Sequence, residues 1–182
     1  MKKTALAVII VLFAFQLAGA GQNPPAPGQA PAAVPAPPAP GTNALVDYTR
    51  QIKFDGLSLS VLLVNDRTAE VLFQAPMKYS MRARSHQQTV LYIQGTPQKD
   101  FDLSTTFSIV QGTETLNGTA TSIKNFVAGK VPAGQRIDGV VEFPKKVDIS
   151  KPFTVKDGAG QVEFVLTEEA IKALAPPPVP AP

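Results

Sequence analysis

Three stretches of the chain alternate between two classes of position with a period of two. Phe101, Leu103, Thr105, Phe107 and Ile109 share one parity, against Asp102, Ser104, Thr106 and Ser108. Ile137, Gly139, Val141 and Phe143 alternate with Asp138, Val140 and Glu142, and Pro144 stops that run. Val162, Phe164 and Leu166 alternate with Gln161, Glu163, Val165 and Thr167. Successive side chains of a strand point to opposite faces, so each pattern predicts a strand with one dry face and one wet face. Leu57 to Asn65 begins the same way and turns apolar on both faces, as a central strand does. Weaker strand candidates are Val46 to Phe54, Val71 to Gln74, Lys78 to His86 and Thr89 to Gln94.

The punctuation fits short strands. Asn65-Asp66-Arg67, Gly95-Thr96-Pro97, Asn117-Gly118, Pro132-Ala133-Gly134 and Asp157-Gly158 are turn signals, and Asn-Gly is the strongest hairpin signal among them. In Val131-Pro132-Ala133-Gly134, Pro in second place and Gly in fourth suit a type I turn. A single helix is expected: Thr167 caps it, Glu168 and Glu169 suit its N-terminal end, Lys172 suits the other, and Pro176 forbids continuation. The pattern therefore predicts an all-β protein, an immunoglobulin-like antiparallel β-sandwich with one short C-terminal helix and Pro-rich disordered arms.

The two ends carry different information. Residues 1–20 have the parts of a secretory signal: Lys2 and Lys3, an apolar run from Ala5 to Phe15, and Ala18-Gly19-Ala20 as a small-x-small cleavage site. That run is shorter than the ~20 residues a membrane-spanning helix needs, so cleavage is expected over retention as an anchor. The Met-Lys-Lys start has a bacterial look and places the product in the periplasm or outside the cell. Residues 21–43 form a Pro/Ala-rich linker, uncharged and unable to build a core; as polyproline II at about 3.1 Å per residue its stretch from Asn23 to Gly41 would hold the domain up to ~60 Å away. Residues 44–175 are expected to form one domain, and 176–182 a second Pro-rich tail.

Composition narrows the chemistry. The chain has 1 His and no Cys or Trp, which excludes zinc sites built on Cys, Cys nucleophiles, disulfides and a lipoprotein anchor on a thiol. Lys and Arg number 17 against 14 Asp and Glu, and two of the 17 lie in the signal. What remains is close to neutral, so no general nucleic-acid partner is expected.

The segments Val131-Pro132-Ala133-Gly134-Gln135, Gly139-Val140-Val141-Glu142-Phe143-Pro144 and Lys151-Pro152-Phe153-Thr154-Val155, with the closing strand Val162 to Leu166, resemble the telokin-like immunoglobulin-fold modules of secreted and surface-anchored bacterial proteins. The resemblance covers the C-terminal half. It implies a non-enzymatic module, with no catalytic residues to carry over. The chain departs from the pattern by lacking a lipoprotein Cys and by adding Pro-rich arms, which leaves its mode of attachment open.

Read as a strand, Lys78 to His86 places Lys78, Arg82, Arg84 and His86 on one face and Tyr79, Met81 and Ala83 on the other. The first set is the candidate site for an anionic partner, such as an envelope polymer or an acidic protein surface; the alternative is a solvated face that discourages edge pairing. His86 as a catalytic base lacks a recognisable nucleophile motif, since no G-x-S-x-G occurs. Asp100 and Asp102 read as wet-face polarity rather than as paired catalytic carboxylates or calcium ligands. No cofactor and no metal site is expected.

The functional expectation is an exported, non-catalytic binding or adaptor module of the bacterial envelope, carried on a Pro-rich spacer, whose partner is an envelope protein or an anionic polymer. Two alternatives stay open: a hydrolase using acidic residues on a sandwich scaffold, and a passive subunit of a secretion or adhesion assembly. The first prediction concerns processing. Mass spectrometry of the exported protein should give a start at Gly21; a retained Met1 would refute the signal reading.

Overall fold

A computed structural model of the protein describes residues 43–174 except 159; the expected signal, nearly all of the linker and the C-terminal tail lie outside them. A short helix α1 (Asn43–Val46) precedes β1 (Thr49–Phe54) and β2 (Leu57–Leu63), and two helices follow, α2 (Asp66–Leu72) and α3 (Met77–Gln87). Then come β3 (Val90–Gly95), β4 (Phe101–Leu103), β5 (Phe107–Gln111), β6 (Glu114–Asn117), β7 (Thr119–Lys124), β8 (Gly129–Val131), β9 (Ile137–Glu142), β10 (Phe153–Asp157), β11 (Gly160–Phe164) and α4 (Glu168–Lys172). Strand predominates over helix, in three sheets ordered β1-β2-β3-β9-β7, β11-β10-β5-β6 and β4-β8, whose ladders are all antiparallel.

The faces of the five-stranded sheet follow from its register. Ile52, Leu59, Val61, Leu91, Ile93, Ile137 and Val141 join Phe107, Ile109, Val155 and Phe164 of the four-stranded sheet in one core. On the opposite face Leu62, Val90, Tyr92 and Val140 meet Ala69, Phe73 and Met81 of the helices in a second core. Phe73 packs edge-on against Tyr92, with ring centroids 5.4 Å apart. Burying a side chain the size of Phe73 or Met81 contributes about 1.5–3 kcal/mol, which is what holds the helix pair on the sheet.

That second core corrects two expectations. Alternation puts Asp138 and Val140 on a wet face, yet both are buried: Val140 because α2 and α3 cover that end of the sheet, and Asp138 beneath Tyr92 and Arg136. Among the described residues there are also four helices where one is expected. Asn65-Asp66-Arg67 is a helix start, not a turn: Asn65 Oδ1 accepts from the N–H groups of Arg67 (2.9 Å) and Thr68 (3.0 Å), and Thr68 Oγ1 accepts from the Asn65 N–H (2.8 Å). The first half of Val71 to Gln74 closes α2, and Lys78 to His86 lies wholly in α3. The α3 sequence has no β-branched residue and is rich in Met, Lys, Arg and Ala, all good helix formers.

The single run expected from Phe101 to Ile109 breaks at 104–106, and its halves pair with different partners, β8 and β10. Nor is Asn117-Gly118 a hairpin, since β6 and β7 belong to different sheets. A Cβ on Gly118 would lie 2.4 Å from Val141 Cγ1 and 2.9 Å from the Phe143 ring, so glycine serves close passage between sheets there. The hairpin before it turns at Gly112-Thr113, with Gln111 opposite Glu114. In the 131–135 segment the Gln135 N–H donates to Pro132 O (3.2 Å) and Gly134 has φ 75°, which makes a type II turn one residue later than expected. The hairpin at Asp157-Gly158 and the Thr167 cap stand as expected, the Thr167 hydroxyl accepting from the Ala170 N–H at 3.2 Å.

Two residues outside the alternating runs are also buried. Phe126, 2% exposed, fills the space over Gly139, where a Cβ would come within 1.9 Å of its ring. Asp157 is 2% exposed and its Oδ1 has no hydrogen-bond partner. Burial pushes its carboxyl up from 3.8 to about 6, with the Ser104 hydroxyl pulling the other way. A carboxyl whose pKa is raised by folding makes the native state bind more protons than the unfolded chain between those values, so stability falls as pH rises from 4 to above 6. Asp157→Asn should abolish that fall and leave the variant more stable than wild type at pH 7.5 by an amount of the order of 2–3 kcal/mol. Denaturant melts at pH 4 and pH 7.5 check this; parallel pH profiles for the two proteins would refute it.

Candidate functional site

Helix α3 carries all four residues of the expected cationic site. Positions 78, 82 and 86 recur every four residues, a spacing that shares a face in a helix as it does in a strand. Arg84 turns away from that line and pairs with Glu142 at the end of β9, whose other oxygen accepts from Gln88 Nε2 at 2.8 Å. Of the set expected to pack inside, only Met81 is buried; Tyr79 is 62% exposed.

The row faces the carboxylates of α2. Lys78 Nζ lies 2.8 Å from Glu70 Oε1, Arg82 lies 3.2 Å from Asp66 and 3.8 Å from Glu70, and His86 Nε2 lies 2.8 Å from Asp66 Oδ1. Asp66 and Glu70 are themselves four apart, so the two helices present matched rows. Partial burial pushes the Asp66 carboxyl up, but hydrogen bonds from His86 and Arg82, and their charge, outweigh it and leave the group below the usual carboxylate range. Hydrogen bonding to Glu70 raises Lys78. The cationic stripe is therefore largely an ion-pair seam.

The lower end of this seam opens into a cavity of about 350 Å³. Leu63, Val64, Val147 and Ile149 supply apolar wall, and the ends of α3 and α4 close it. Asp66, Arg67, His86 and Lys146 bring charge to it. Its other polar groups are already engaged: the Ser85 hydroxyl donates to Arg82 O (2.8 Å), and Thr89 Oγ1 accepts from the Val147 N–H (2.8 Å). Arg67 and Lys146 have no carboxylate partner among the described residues. Sequence reasoning found His86 here and missed Arg67 and Lys146, since nothing in the pattern ties position 67 to position 146.

The Asp66 and His86 pair has the form of an oriented imidazole, yet Ser85, the neighbouring hydroxyl, is committed to a backbone carbonyl. Asp100 Oδ1 accepts from the Ala133 N–H (3.1 Å) and so supports the 132–135 turn, while Asp102 lies exposed on β4. Among the described residues no three His, Asp or Glu side chains gather as metal ligands. On the outer face of the five-stranded sheet, Asp138 takes a hydrogen bond from Tyr92 Oη (2.7 Å) and two from Arg136 (2.7 and 2.9 Å). Burial, and then the bond to Asp138, push the Tyr92 hydroxyl up to about 12. That cluster is saturated and structural.

The last feature is an edge. Among the described residues strand β7 pairs with β9 alone and has no strand on its other side, and nearly every one of its residues is exposed. A register shift between Ser122 and Lys124 bends its second half; Ile123 at the shift and Val127 beyond it are 44% and 63% exposed. The two-sheet frame is flanked on the opposite side, where Gly160 of β11 abuts Ile52 and Phe54 of β1.

Comparison with protein-family models, with curated proteins and with solved structures gave no match. The seam yields a test of its own. Asp66→Asn should cost about 1 kcal/mol or less at pH 7, because the carboxylate is 47% exposed and its pairs are solvent-screened. Since folding depresses the Asp66 pKa, its contribution is complete above the unfolded value and disappears as pH falls through the native one. The difference in thermal stability between wild type and variant should therefore shrink steadily as pH falls below 3.8.

Proposed function

We propose that this protein is an exported, non-catalytic binding module of the bacterial cell envelope, held on a Pro-rich spacer, that engages an extended segment of a partner protein along the open edge of β7. The single observation that carries the reading is that edge. A strand with unpaired N–H and C=O groups is a template for another strand, and most β proteins blunt such edges with charge, proline or a bulge. Here the bulge and Lys124 guard only the second half, and Thr119 to Ser122 carry no charge and no proline.

The fold we propose is a sandwich, supported by the side chains that both sheets give to one core. An immunoglobulin domain sends its third strand to the second sheet; here β1, β2 and β3 lie side by side, so the likeness is one of layering. Export rests on the signal-like first 20 residues and the Pro/Ala-rich segment after them. An anionic polymer is the weaker partner, because Lys78, Arg82, Arg84 and His86 each already face a carboxylate.

Backbone amides of an edge strand point alternately to the neighbouring strand and to solvent. Of Ala120→Pro and Thr121→Pro, one should therefore remove a ladder bond to β9 and lower the melting temperature, and the other should spare the fold. The stable variant should lose the partner that wild type captures in stoichiometric amount from envelope extract. Undiminished capture by that variant would refute the edge as the binding surface.

A further inference from the structure

We propose that the cavity between α2, the end of α3, residues 146–149 and the end of α4 binds a small amphipathic carboxylate, its apolar body inward and its charge against Arg67 and Lys146. This site lies apart from β7 and does not depend on the reading of that edge. The volume of about 350 Å³ sits at the lower end of small-molecule pockets and holds about a dozen water-sized groups at ~30 Å³ each. Leu63 and Val64 continue out of β2, Val147 and Ile149 come from the loop after β9, and Leu174 comes from the end of α4. These side chains reward an alkyl or aryl body and give a hydrated ion nothing to bind.

The charge around the cavity selects the headgroup. The hydroxyls of Ser85 and Thr89 already make protein hydrogen bonds, so they offer a ligand little. Asp66 is the acid of the lining, and one of its oxygens is shared by His86 and Arg82. Arg67 and Lys146 remain, cations without a carboxylate partner among the described residues, one brought to the cavity by the first turn of α2 and the other by the loop after β9. A guanidinium presents a planar fork that matches a carboxylate with two parallel hydrogen bonds, and an ammonium adds a point charge. An uncharged lipid would leave both cations unanswered, and a compact anion would leave the apolar wall empty.

The test uses the full-length protein and three probes: sodium octanoate, 1-octanol with the same chain and no charge, and sodium acetate with the same charge and no chain. Calorimetric titration should show octanoate binding at least about tenfold more tightly than either control, with heat that weakens on adding salt. Arg67→Gln with Lys146→Gln should weaken octanoate about tenfold and leave 1-octanol unchanged. Lys146→Glu alone, at an exposed position, gives a second charge variant whose melting temperature reports that the fold survives. Chemical shifts of Val64, Val147 and Ile149 should move with octanoate. Equal affinity for octanoate and 1-octanol, equal octanoate binding by the charge variants, or shift changes elsewhere would each overturn the site.

Discussion

Strand β9 has to hide side chains on both of its faces, and much of the architecture can be traced to that demand. Toward the four-stranded sheet it offers Ile137 and Val141; away from it, Val140 and the carboxylate of Asp138. A sheet so placed needs a cover, and α2 with α3 supplies one over the apolar end. Where the helices stop, the outward face turns polar, and Asp138 tolerates burial there because Tyr92 and Arg136 saturate its oxygens. The cavity follows from the same geometry, since it lies where the helix pair ends and the loop after β9 has yet to rejoin the sheet.

Apolar contact and charge divide the work of holding the helices. Phe73, Ala69 and Met81 supply the burial, while the exposed pairs between α2 and α3 contribute little energy each. What the pairs do supply is register. Asp66 and Glu70 oppose Arg82 and Lys78, so sliding α3 by one turn would leave a cation at one end and an acid at the other without a mate. His86 and Asp66 are thereby kept at the mouth of the cavity.

Most of the strands were legible in the sequence, though β6, β7 and β8 were not, and the helices mostly were not. Phe107 and Ile109, Ile137 and Val141, and Phe164 are buried as their alternation requires, because a half-wet strand prints its burial on its period. Helix α3 buries a single apolar residue, Met81, and so leaves no periodic trace. The recurrence of Lys78, Arg82 and His86 at intervals of four satisfies strand and helix alike. Asn65 was visible as punctuation; only the return bond from Thr68 distinguishes a helix start from a turn. The pocket joins residues distant in sequence, Arg67 and Lys146 among them, and such a meeting is a property of topology. Gly139, one more position in an alternating run by sequence, is the point where the Phe126 ring lies against the strand.

The flanking of β1 by β11 has a consequence for how this molecule behaves in a crowd. Arg50 reaches across that seam to donate to Val165 O at 2.6 Å, and its guanidinium lies over the Phe164 ring at 5.5 Å. A sheet with two open margins can recruit a neighbour at each and lengthen without limit, which is the geometry of a fibril. The five-stranded sheet here is shielded along one margin by its own chain. Were the β7 edges of two copies to pair, the growing sheet would therefore stop at two copies, because each offers this one margin and keeps the other behind β11.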